Sequence, residues 1–127
     1  MRYLLDTHAL LWYFADSESL TEKAAEVIEH NGSLKYVSTA SLWEFTIKQN
    51  LGKLQFEGGI SALYSMIQEN HFQILDIQES YLVVLSEMPL IHRDPFDRLI
   101  IATAISEGMT ILTADSNIHK YEVRWIW

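Results

Sequence analysis

The sequence contains no cysteine, which excludes disulfides, thiolate zinc sites and cysteine nucleophiles together. Proline occurs twice and glycine five times in 127 residues, too seldom for a collagen-like or low-complexity chain. Basic residues are also scarce: nine Lys and Arg against seventeen Asp and Glu leave a net charge of −8. That sign is wrong for gripping nucleic acid through a broad basic surface, so any such contact must be local or metal-assisted. The longest purely apolar run, Ala9 to Ala15, falls far short of the ~20 residues that span a bilayer. Asp6 interrupts the apolar stretch after Met1-Arg2, which leaves no signal-peptide pattern, and a soluble cytoplasmic protein is expected. Gly-x-Ser-x-Gly, His-Glu-x-x-His and a Gly-rich phosphate loop are all missing, so serine hydrolysis, zincin chemistry and nucleotide cradling have no motif to rest on.

What is present is a core. Hydrophobic residues make up 49% of the chain, and at 14.7 kDa the surface scaling leaves ~7,000 Å² exposed of ~21,000 Å² in the extended chain. One domain, 1–127, accounts for that length. Short β-like runs alternate with helical patterns. Tyr3-Leu4-Leu5, Leu34 to Val37, Phe72 to Leu75, Met109 to Leu112 and the alternating Val123, Trp125 and Trp127 read as five strands. Between them, Ala9 to Ala15 reads as a helix, and Ser19-Leu20-Thr21-Glu22 has the form of a capping box for the next. Ser38 or Thr39 caps a helix to about Asn50. Ile60, Leu63, Tyr64 and Ile67 share one helical face after Gly58-Gly59, and Glu79 to Glu87 forms another helix. Asp94-Pro95 starts a helix that is apolar on nearly every side to Glu107 and stops at Gly108. Strands separated by helices predict an α/β fold: a mostly parallel five-stranded sheet with helices on both faces.

The six Asp are placed differently from the eleven Glu, most of which fall on predicted solvent faces. Asp6 directly follows the first strand, and Asp115 follows the fourth after Thr113-Ala114. In a parallel sheet the working crevice lies beyond the carboxyl ends of the strands, where residues distant in sequence converge. Glu44, one turn into the helix after the second strand, and Asp97, in the first turn after Asp94-Pro95, can reach the same rim. Carboxylates crowded in one crevice repel each other unless a cation sits among them. Oxygen donors suit Mg²⁺ or Mn²⁺, and such an ion would neutralise a phosphodiester and activate water for in-line hydrolysis.

Each acid also has a purely local explanation. Asp6 could cap the helix beginning at Thr7, Asp97 could serve a capping box with Asp94, Glu44 could pair with Lys48 at i, i+4, and Asp115 could make a turn with Asn117. His8, His92 and His119 have no ligand spacing and read as surface or capping residues. Trp12, Trp43, Trp125 and Trp127 read as core or interface residues before base-stacking ones.

Four segments together carry a family likeness: Tyr3-Leu4-Leu5-Asp6-Thr7-His8-Ala9-Leu10-Leu11-Trp12, Ser41-Leu42-Trp43-Glu44-Phe45-Thr46-Ile47-Lys48, Arg93-Asp94-Pro95-Phe96-Asp97-Arg98 and Leu112-Thr113-Ala114-Asp115. In order and spacing the chain resembles the PIN-domain ribonucleases, specifically the VapC-type toxins of toxin–antitoxin pairs. The resemblance implies Mg²⁺- or Mn²⁺-dependent endonucleolytic cleavage of RNA to a 5′-phosphate and a 3′-hydroxyl. It implies Asp6 and Asp97 as principal metal ligands, Asp115 completing the coordination or holding water, and Glu44 as ligand or base. Thr113 would lie near the site, with Asp94 as a secondary candidate. Homodimerisation and inhibition by a cognate antitoxin are implied as well. Two other readings compete. A receiver-type phosphoacceptor domain would need an adjacent acidic pair after the first strand and an acceptor Asp after the third followed by matching Thr and Lys, and only Asp6 and Asp76 are there. An inert PIN-like binding module would be expected to have lost acids, and all four are present.

Overall fold

Tyr3, Leu4 and Leu5 are apolar on alternate sides of the chain, the pattern of a strand covered on both faces. In the computed structural model, which describes residues 1–127, they form the central strand, β1 (Arg2–Leu5). The chain continues through α1 (Thr7–Phe14), α2 (Glu22–Glu29), β2 (Leu34–Ser38), α3 (Thr39–Asn50), α4 (Gly59–Glu69) and β3 (Gln73–Leu75). It then forms α5 (Glu79–Glu87), α6 (Pro95–Glu107), β4 (Thr110–Leu112), a 3-10 turn at Ile118–Lys120 and β5 (Trp125–Ile126). The five strands lie in the order β3-β2-β1-β4-β5, and every pairing is parallel. The expected "mostly parallel" sheet is therefore wholly parallel.

Register follows from burial. Leu4 pairs with Ile111 and Leu5 with Leu112, so alternate residues feed two cores. On one face Tyr3, Leu5, Val37 and Leu112 meet Leu10, Ile28, Phe45, Leu63 and Ile67 from the first four helices. On the other, Leu4 and Ile111 meet Ile100, Ile101 and Ala104 of α6, with Ile118 and Tyr121. Tyr81 of α5 closes a third cluster with Ala40 and Leu99. Helix α6 is buried from Leu99 through Ala104, which explains why its sequence shows no polar stripe: β4, α3 and α5 cover it from several sides. Each buried Ile or Leu there contributes ~1.5–3 kcal/mol.

The helix ends follow the sequence chemistry. The Asp94 carboxylate accepts from the Asp97 amide at 2.9 Å, Pro95 takes the first helical position, and Gly108 closes α6 at φ +68°. Gly58 holds φ +82°, and a Cβ there would fall 2.6 Å from that of Ala62, so only glycine fits. Two local expectations change. Helix α2 begins at Glu22 and is capped by Thr21, whose hydroxyl accepts from the Ala24 amide at 3.1 Å. Ser19 instead donates its amide to the Ser17 hydroxyl in the preceding turn, so the Ser19 capping box does not form. The last strand is also shorter than the alternation of Val123, Trp125 and Trp127 implied, because β5 is an edge strand beside a three-residue neighbour. No helix is long and apolar enough to cross a membrane.

Candidate active site

Strand β1 ends at Leu5, and the next residue both terminates the strand and starts a helix. Asp6 adopts extended backbone, and its Oδ1 accepts from the Ala9 amide at 2.8 Å as the cap of α1. Its other oxygen, Oδ2, accepts from the Thr113 hydroxyl, just past β4. The same hydroxyl accepts from the Asp115 amide at 3.0 Å, and Asp115 in turn accepts from the Asn117 amide at 2.8 Å. Thr113 is wholly buried and thus ties the ends of two adjacent strands together.

Glu44 projects from α3 to the same rim and is itself buried. Its Oε1 accepts from the Thr7 hydroxyl at 2.6 Å, and its Oε2 lies 2.9 Å from Lys48 Nζ. Asp97, in the first turn of α6, places Oδ2 3.2 Å from His92 Nε2. Three of the four local explanations are realised at once, a helix cap at Asp6, an i, i+4 pair at Glu44 and an Asx turn at Asp115; at Asp97 only the amide joins the cap, while its carboxylate turns to His92 and not back to Asp94, so the capping box does not form. They do not compete with convergence, because each is also what aims the side chain at the rim.

The charges report that convergence. Burial first, then the charges of Asp94, Asp115, Glu44 and Asp6 in decreasing order, push the Asp97 carboxyl up to about 8. Burial also pushes Asp6 above the usual carboxylate range, against the hydrogen bonds from Thr113 and Ala9. Lys48 is held above the ordinary ammonium range by its hydrogen bond to Glu44 and then by the charges of Glu44, Asp94 and Asp97. Asp6, Lys48 and Asp97 thus each feel the charge of other acids along the rim.

The fit to a divalent cation can be judged from these donors. Four carboxylates on four separate elements supply only oxygen, the donor that Mg²⁺ and Mn²⁺ prefer. No three acidic or imidazole side chains are already arranged around a common point as a finished cage, since Asp6, Glu44 and Asp97 are each turned to a protein partner. The donor set therefore fits such an ion, with Lys48 serving as the internal counter-charge. Beside Asp6 and Asp115 lies a cleft of about 220 Å³ whose remaining walls are His8, Trp12 and Ala114. Larger hollows elsewhere, such as that of about 500 Å³ along Val84, Met88, Ile91 and Ile105, contain none of the four rim acids.

From sequence His92 reads as a surface or capping residue, and nothing there singles out Lys48, Thr7 or Tyr121 for the site. Lys48 was visible only as a partner for Glu44. Tyr121 carried no signal, because its contact with His92 spans 29 positions. Trp125 stacks on His119 at 3.5 Å between ring centroids, and His119 Nε2 lies 2.8 Å from the Thr113 carbonyl, so this pair supports the β4 end.

Residues 3–123 match the sequence model of the family described as PIN domain. The chain is 29% identical over 119 residues to "Ribonuclease VapC22" of Mycobacterium tuberculosis, covering 93% of this chain and 90% of that protein. Its fold superposes on VapBC2 from Rickettsia felis, solved bound to a promoter DNA fragment, with a TM-score of 0.77 at 16% identity, over 100% of this chain and 99% of that one. A toxin–antitoxin complex from Klebsiella pneumoniae gives a TM-score of 0.66 at 16% identity, over 98% and 96%.

Proposed function

The chain belongs to the PIN domain family, and from that premise we propose that it is a metal-dependent endoribonuclease acting as the toxin of a toxin–antitoxin pair. One observation carries the proposal: Asp6, Glu44, Asp97 and Asp115 come from separate parts of the chain, yet Asp97 feels the charge of the other three at the carboxyl-end rim of the parallel sheet. The relatives named as a VapC ribonuclease and as toxin–antitoxin complexes support the substrate class and the partner. The whole of 1–127 acts as the single catalytic domain, in the cytoplasm, where its RNA targets are.

In this reading Asp6, Asp97 and Asp115 hold Mg²⁺ or Mn²⁺, with Glu44 as a further ligand or as base. When bound, the cation supplies neutralisation of the scissile phosphate and a water of lowered pKa. The protein's own groups do the rest. Thr113 and the Ala9 amide hold the Asp6 carboxylate at the rim, and Thr7 and Lys48 hold Glu44 there. His8 and Trp12 line the cleft beside Asp6 and Asp115, giving a flanking base a face on which to stack. Contact with RNA is then local, as the net charge of −8 requires. The same acidic rim suits a basic antitoxin segment, whose Arg or Lys would pair with the carboxylates in place of the cation. Leu82, Val83, Leu90 and Ile91 are exposed along α5 and the segment after it, apolar area that a second copy of the chain would cover in a homodimer.

A short pulse of expression followed by mapping of transcript ends tests the proposal. Growth should stop, new 5′-phosphate ends should accumulate at defined sites, and a neighbouring gene product should relieve both. A soluble, folded chain that is harmless and leaves transcripts intact would overturn it.

A further inference from the structure

Behind the Asp97 carboxylate, three side chains form a line of hydrogen bonds running into the core. Tyr121 is buried among Ile100, Ile101 and Ile118. Its phenol oxygen meets three nitrogens: the His92 amide at 3.2 Å, Arg98 Nη1 at 2.9 Å and His92 Nδ1 at 2.8 Å. A phenol offers two lone pairs and one proton. The amide and the guanidinium can only donate, so they fill both lone pairs, and the phenol proton goes to Nδ1. Nδ1 is therefore an acceptor, and the imidazole proton resides on Nε2. Nε2 lies 3.2 Å from Asp97 Oδ2 and donates to it. The arrangement is braced at its far end, where Arg98 also donates to the Pro89 carbonyl at 2.8 Å and lies over the Tyr121 ring at 5.9 Å.

We propose that His92 is a positioning residue for Asp97: Tyr121 and Arg98 fix its proton on Nε2, and that N–H holds Oδ2 so that Oδ1 is presented to a divalent cation. The proposal rests on the rim being a cation site, as set out under the proposed function. It is distinct from a merely structural role for His92, because it assigns the proton to one nitrogen and the work to one oxygen. A hydrogen-bonded partner behind a ligating carboxylate commonly tunes metal affinity by 10–100-fold.

The test uses the full chain, with Mn²⁺ as probe and two readouts that need no turnover. Imidazole ¹⁵N resonances of the metal-free wild type should show His92 with a bare Nδ1 and a protonated Nε2, and Tyr121→Phe should lose that single-tautomer signature. Calorimetric titration should show His92→Ala binding Mn²⁺ ~10–100-fold more weakly. His92→Gln, whose amide nitrogen can take the place of Nε2, should recover most of the affinity, with melting curves checking that every variant is folded. A proton on Nδ1 in the wild type would overturn the proposal, as would His92→Ala binding Mn²⁺ as tightly as wild type, or Gln rescuing no better than Ala. A wild type that binds no Mn²⁺ at all would instead bring down the proposed function, and this inference with it.

Discussion

Replacing Thr113 by Val keeps the shape of a wholly buried side chain and removes only its hydroxyl. That hydroxyl makes two contacts: it donates to Asp6 Oδ2 and accepts from the Asp115 amide at 3.0 Å. A buried polar group stripped of its partner costs ~1–3 kcal/mol, more when charged. The Asp6 contact should thus cost about 2–3 kcal/mol and the less buried Asp115 amide about 1 kcal/mol, roughly 3–4 kcal/mol in all when Asp6 is ionised. Only the first part depends on pH. Burial already raises the Asp6 carboxyl, and Thr113 is the largest influence opposing it, so Thr113→Val raises it further. An acid raised in the folded state takes up protons on folding, so its stabilising contribution is lost as pH rises through the folded value and is recovered below it. In the variant that loss extends to higher pH, so the deficit relative to wild type should be larger where Asp6 is ionised than where it is protonated, with the roughly 3–4 kcal/mol above as its upper end. Urea unfolding in chelator across a pH series measures this, with Thr113→Ser, which retains the hydroxyl, as the control. A Val variant as stable as the Ser variant, or a deficit that does not change with pH, would show that the hydroxyl does not hold the Asp6 carboxylate.

Asp97→Asn tests the same linkage at the other end of the cluster. With the Asp97 carboxyl pushed up to about 8 against an ordinary unfolded value, metal-free wild type should gain stability as pH falls from 8 toward 4. The Asn variant should lack that slope, be the more stable of the two in chelator at pH 8, and show little rise in melting temperature on adding Mn²⁺. Lys48→Met should destabilise the fold by roughly 1–3 kcal/mol, because it strands the buried Glu44 carboxylate. Equal urea midpoints would show that the pair contributes nothing. Ile100→Ala, at a fully buried position of α6, should cost about 2–5 kcal/mol in urea unfolding, and a cost below 1 kcal/mol would contradict the central placement of that helix. Leu82→Glu with Leu90→Glu should shift a homodimer toward monomer in light scattering. An unchanged mass would place the dimer contact elsewhere.

Legibility from sequence differed between the rim and what lies behind it. The strand ends were readable because a carboxylate placed directly after an apolar run, as at Asp6 and Asp115, marks the rim of a parallel sheet whatever the neighbouring strands are. Helix α6 was readable for a similar reason, with Asp94-Pro95 and Gly108 bracketing a run with no polar stripe. Hydroxyls were harder. Ser19 and Thr21 both precede a helical pattern, and only the three-dimensional course of the turn decides that Thr21 caps it while Ser17 and Ser19 bond each other. The His92–Tyr121 contact could not be read at all, since nothing local to either residue encodes a pairing made by the packing of the chain after β4 against α6. The length of β5 depended on how few residues β4 offers as a partner.

Cleavage of single-stranded RNA by the purified chain bears most directly on the claim that the four rim acids form one cation-dependent catalytic site. Wild type and the single variants Asp6→Asn, Glu44→Gln, Asp97→Asn and Asp115→Asn are compared with Mn²⁺ or Mg²⁺ and with excess chelator, and the product ends are sequenced. Wild type should cleave to 5′-phosphate and 3′-hydroxyl ends with either metal and not in chelator, and each folded variant should lose at least ~100-fold, equivalent to about 2.7 kcal/mol of transition-state stabilisation. Undiminished cleavage in chelator, or by the Asp6 and Asp97 variants together, would contradict that claim.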